Sequence, residues 1–169
     1  MSLNSLEDVY VEQLKDIYSA EKQLTEALPQ MAKAASAAEL RTAFQNHLAK
    51  SEQHMQAVRT ILAELDENPT NTVCKAMAGL VEEAEEIVKG NGNADAKDVA
   101  LIVAAQKVEH YEIASYGSLC AFAKTLGYEQ AAQTLQSILD EEYEADQELD
   151  NLAMGVHQKA GLNRAARQS

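Results

Sequence analysis

The chain has 169 residues with two prolines, seven glycines and no tryptophan, and its 27 acidic against 14 basic residues leave a formal charge of −13. Such a length supports one domain whose core needs no covalent staples. The charge repels phosphate backbones and anionic membrane surfaces, so neither a nucleic acid nor a membrane is an expected partner.

The first predicted helix opens at Ser5-Leu-Glu-Asp8, a capping arrangement. Its stripe runs Tyr10, Leu14, Ile17, Glu21, Leu24, Leu28, Met31, in steps of three and four. Pro29 lies inside that pattern and predicts a kink one turn earlier; the helix ends near Ser36. A second helix begins at about Ala38 with Leu40, Phe44, Leu48, Ser51, Met55, Val58, Leu62 and Leu65 on one side. Asn68-Pro69-Thr70-Asn71 stops it. A short amphipathic helix over residues 74–89 and a glycine-asparagine loop over 90–94 follow. The third long helix spans residues 96–126 and is broken by Gly127. The fourth spans 129–157, and residues 161–169 are expected to fray, which leaves one domain over 1–160.

Helices joined by a tight turn lie antiparallel, so the first two and the last two form hairpins. The connection between the hairpins is long enough to return along the whole bundle. That crossover separates a ferritin-like four-helix bundle from a simple up-and-down one, and the fold class is all-α. Cys74 and Cys120 lie far apart without CxxC spacing, which predicts reduced thiols. No apolar signal core opens the chain, and the cytoplasm is the expected compartment.

Carboxylates interrupt the apolar stripes. Glu21 lies in the middle of the first, Glu109 and Glu112 fall within the third helix's arc, and Glu142 centres the fourth, with Asp146 one turn on. Glu52 lies at the edge of the second helix's arc. Glu21 and Glu52 are equidistant from the Ser36-Ala37 turn, and Glu112 and Glu142 from Gly127. The carboxylates therefore meet at one level of the core. They cannot all ionise there without a counter-charge. Two hard metal ions, iron or manganese, supply one, and bridging carboxylates in a bundle core are a known arrangement. The candidate ligands are Glu21, Glu52, Glu109, Glu112, Glu142 and Asp146. Salt bridges to lysine or protonation are the alternative. His47 and His54 fall on the flank opposite Glu52 and read as boundary residues, with His54 the remaining candidate ligand; His110 points away and His157 is near the end.

Ser19-Ala-Glu-Lys-Gln-Leu24, the run from Ala100 through Glu109-His-Tyr-Glu112 to Gly117, and Leu139-Asp-Glu-Glu142 with Asp146 resemble the YciF-type bacterial stress-associated proteins. That resemblance spans nearly the whole chain and implies the ferritin-like superfamily and a link to stress. Glu109-x-x-Glu112 also resembles the third-helix ligand pair of rubrerythrin-like proteins. Two positions depart from that pattern: Ala49 stands where a first carboxylate of the second helix is expected, and Ala145 where a histidine would follow Glu142. Two cysteines cannot build a rubredoxin-type iron centre. Two readings of function follow. One is a di-iron or other di-metal site that oxidises ferrous iron or consumes peroxide or oxygen. The other is a non-catalytic homodimer acting through protein partners, with a vestigial metal site. A homo-oligomer, foremost a dimer, is expected in either case.

Overall fold

A computed structural model describes residues 4–69, 72–155 and 160–168, in which the chain forms six helices and no strand. Helix α1 (Leu6–Ala34) starts where the Ser5 hydroxyl accepts from the Asp8 amide at 3.0 Å. It continues through Pro29 as one element, with the ring on the exposed side. Helix α2 (Ala38–Glu64) ends four residues before Asn68, because Asp66 takes a left-handed backbone with φ 56°. Aspartate is one of the few side chains that tolerate that region.

Helix α3 (Lys75–Lys89) lies in the crossover and packs against α1 and α4. Helix α4 (Ala94–Leu126) is capped by the Asn93 side chain, which accepts from the Ala96 amide at 3.0 Å. It stops at Gly127, whose φ of 81° is open to glycine at little steric cost. The Tyr128 amide then returns to the Ala123 carbonyl at 2.9 Å. Helix α5 (Glu129–Met154) completes the second hairpin. The sequence-based end at His157 lies outside the described residues.

The tail expected to fray is instead helical over α6 (Leu162–Gln168), which packs on α4 and α5. Gly161 permits this approach, since a Cβ there would lie 2.3 Å from the Ala153 carbonyl oxygen.

Packing of α1 against α2 and α4, and of α5 against α4 and α2, closes a ring in the order α1–α2–α5–α4. This is the ferritin-like bundle of two antiparallel hairpins with a helix in the crossover. A polar latch joins the hairpins at the Ser36-Ala37 turn. The buried Asp98 carboxylate accepts from the Ser36 amide at 2.8 Å and the Ala37 amide at 2.7 Å. These two amides lie at and just before the N-cap of α2, so α4 fixes the turn by which the chain enters that helix. Among the described residues no helix is long and apolar enough to cross a membrane.

Candidate metal centre

Each of the four bundle helices brings an acid or a histidine to one level of the core. Glu21 comes from α1, His47 and His54 from α2, Glu109 and Glu112 from α4, and Glu142 from α5, all buried. The helices place them by simple periodicity: His47 and His54 are two turns apart on one face, and Glu109 and Glu112 one turn apart.

Two groups result. His47, Glu109, Glu112 and Glu142 can each present one ligand atom within 4.8 Å of the others, and so can Glu21, His54 and Glu142. Glu142 belongs to both. Its Oε1 is 3.0 Å from His54 Nδ1 and its Oε2 is 3.9 Å from His47 Nε2. On one side, Glu21 Oε1 is 3.5 Å from His54 Nδ1. On the other, His47 Nδ1 is 2.8 Å from Glu109 Oε1 and its Nε2 is 3.5 Å from Glu112 Oε2.

The bonding of these atoms is incomplete. Both oxygens of Glu112 and of Glu142, one each of Glu21 and Glu109, His47 Nε2 and His54 Nδ1 are buried without a hydrogen-bond partner. His54 Nδ1 is close to Glu142 Oε1 in distance but not aligned to bond it. Buried polar atoms are normally satisfied, and this many at one level is the pattern of a ligand set. Imidazole nitrogens and carboxylate oxygens suit iron, manganese or zinc. The residues of either group could therefore hold a metal ion.

Electrostatics point the same way. Burial pushes the Glu112 carboxyl well above the carboxylate range, and the Glu142 and Glu21 charges add to it while His47 opposes. Burial likewise lifts Glu142 to about 6, with the adjacent His54 imidazole pulling against it. For the histidines burial acts downward but loses. Glu142 and Glu21 raise His54 to about 10, and Glu109 and Glu112 raise His47 well above its ordinary value. In the metal-free protein, protons stand where positive charge is wanted.

A surrounding layer holds the ligands. Tyr116, fully buried, donates to Glu21 Oε1 at 2.5 Å. His54 Nε2 lies 3.1 Å from Glu141 Oε2, which also faces Lys50 Nζ at 3.7 Å. A carboxylate on the outer nitrogen of a ligating histidine fixes the tautomer and the ring orientation.

Four of the six acids expected in the site meet there: Glu21, Glu109, Glu112 and Glu142. Glu52 does not. It is exposed on the outer face of α2, as is Ala49, so the absent carboxylate at 49 leaves no gap in the core. Asp146 is half-buried, 3.6 Å from His110 Nε2, and joins neither group. The reversal on α2 has one cause. His47 and His54, read as boundary residues, continue the inward series Leu40, Phe44, His47, Ser51, His54, Val58, with Leu48 and Met55 half-buried beside it. That spacing of three and four was the available signal. Assigning the histidines to the flank set the inward face wrongly by one residue, about 100°.

The profile of a family described as a domain of unknown function, DUF892, matches residues 5–161. The chain belongs to this family. Protein YciF of Escherichia coli (strain K12) is 42% identical over 166 residues, 98% of this chain and 100% of that one. The crystal structure of the E. coli stress protein YciF superposes with a TM-score of 0.87 at 43% identity, covering 90% of this chain and 96% of that chain. YcfI of Rhodopseudomonas palustris superposes with a TM-score of 0.85 at 34% identity, covering 90% and 97%. The chain is thus a YciF-type, all-helical member of DUF892 whose core histidines and acids could hold metal.

Proposed function

We infer that the protein is a stress-associated metalloprotein whose bundle core holds two divalent ions, of iron or manganese, and that it oxidises ferrous iron or reacts with peroxide or oxygen. The observation that carries this reading is Glu142, whose two oxygens face two separate ligand groups. A carboxylate so placed would be shared by two ions if both groups were filled. Glu21 and His54 would complete one position; His47, Glu109 and Glu112 would complete the other. The ions would supply electrons and a Lewis-acid site for a small oxidant. The chain's own residues exclude bulk water, hold the ligands deprotonated once cations replace the protons, and orient Glu21 through Tyr116. The similarity to a named stress protein supports the stress association.

The deciding experiment is elemental analysis of protein purified without chelator and then loaded anaerobically with ferrous ion, with anomalous scattering to place what binds. Two ions flanking Glu142 are expected. A sub-stoichiometric content after loading would end the metal reading. It would favour instead a bundle that acts through protein partners, as a homodimer with a vestigial metal site. The suggested structural role of the Rhodopseudomonas relative is compatible with that second reading.

A further inference from the structure

The seam between α2 and α5 is one of two that the added helices leave clear, the other being α1–α2, since α3 lies on α1 and α4, and α6 on α4 and α5. A cleft of about 30 Å³ opens in that seam. Its lining includes Asn46, Lys50, Ala145 and Glu148, and at its inner end the buried His47 and Glu109. Asn46 and Glu148 are exposed, whereas His47 and Glu109 are 7% and 1% exposed, so the cleft leads from solvent to two candidate ligands. Glu109 Oε2 is buried there without a hydrogen-bond partner. The space is that of about one water molecule.

We propose that this cleft is the port through which divalent cations reach the core, and that Ala145 keeps it open. The proposal rests on the metal reading above. Ala145 follows Glu142 by one helical turn, so its side chain stands on the same face, directly above the shared carboxylate. A histidine or a larger apolar residue there would fill the cleft that a methyl group leaves. The missing ligand is then an opening rather than a relic.

Charge along the path suits a cation. Glu148 stands at the mouth and Glu109 at the floor. Lys50, the lysine of the wall, is offset by Glu141 at 3.7 Å and Glu144 at 3.8 Å, and the His47 proton at the floor is offset by Glu109 at 2.8 Å and leaves as the ion binds. The narrow bore selects an ion that sheds most of its water on entry, with His47 and Glu109 replacing the lost ligands.

A port changes how fast an ion enters and leaves, and by the same factor, whereas a ligand changes affinity. The test is stopped-flow uptake of Co²⁺ by the metal-free full chain, paired with release into a chelator and an equilibrium titration. Ala145→Leu is expected to slow uptake and release together by roughly tenfold or more, with affinity and stoichiometry held. Glu148→Lys is expected to slow uptake by about threefold to tenfold at low salt, converging with wild type at high salt. Ala114→Leu, on the exposed outer face of α4, should load as wild type does. If Ala145→Leu proves unfolded, Asn46→Leu and Glu148→Lys carry the same comparison. Wild-type uptake rates in folded Ala145→Leu, or slowing matched by lost affinity, would overturn the port. Wild-type protein that takes up no Co²⁺ would overturn the metal reading beneath it.

Discussion

Glu142 offers one carboxylate oxygen to His54, at 3.0 Å, and the other to His47, at 3.9 Å, so a single side chain of α5 spans the two histidines of α2. The proposed ions are therefore not independent. Glu142→Ala should remove both, whereas Glu21→Ala, which strips only the His54 side, should leave one. Metal-to-protein ratios by elemental analysis distinguish these outcomes, and equal losses in the two variants would refute the shared ligand.

Glu52 and His54 make the sharpest contrast on α2. Glu52→Ala should change neither metal content nor stability beyond about 0.5 kcal/mol, as expected of an exposed site. His54→Ala should release the ion on its side. A metal titration of the two variants side by side settles which face of α2 enters the core.

That contrast also marks where the sequence was and was not legible. Helix positions, the two hairpins, the crossover and four core acids follow from spacing, since Glu21, Glu109, Glu112 and Glu142 each sit among strongly apolar neighbours. On α2 the polar inward residues His47, Ser51 and His54 replace three successive apolar positions. A stripe through Leu48 and Met55, which flank the core, therefore points Glu52 inward and leaves His47 and His54 on the flank. Nor could spacing reveal α6, because its packing depends on the bare backbone of Gly161.

The metal-free protein should lose stability as pH rises. His54, raised from 6.5 to about 10, binds its proton more tightly folded than unfolded, so its contribution is full below 6.5 and gone above about 10. Glu142, raised from 4.5 to about 6, acts in the same direction, with stability falling between those values. Metal binding needs both groups deprotonated and should strengthen with pH. Calorimetric melting between about pH 6 and about pH 9 should show a falling Tm for metal-free protein and a growing metal-induced increment. A metal-free Tm that rises over that range would contradict the assignment.

Tyr116→Phe removes the donor that holds Glu21 Oε1. Leaving a buried acceptor without its donor costs about 1–3 kcal/mol, and denaturant unfolding of the metal-free variant should show a loss of that order. Affinity at the His54 side should fall as well, because Glu21 is no longer oriented. Unchanged stability and affinity would show that the contact is incidental.

Asp98→Ala should lower stability by about 1–3 kcal/mol, since it leaves the Ser36 and Ala37 amides without their acceptor. Metal affinity should weaken with it although no ligand has been removed. Denaturant unfolding and metal titration of the same variant test both parts.

The Asp98 latch also sets a common origin for lengths along the bundle. Glu112 stands about 21 Å along α4 from Asp98, and Glu21 about 20 Å back along α1 from Ala34, two residues before Ser36, at about 1.5 Å per residue. The two acids reach the same height because both are counted from the same fastening. One residue gained or lost in either run would displace its acid by about 1.5 Å and turn it by about 100°. The two runs are thus dimensionally coupled, and relatives that keep the core acids should tolerate changes in length beyond the latch but not between it and the centre.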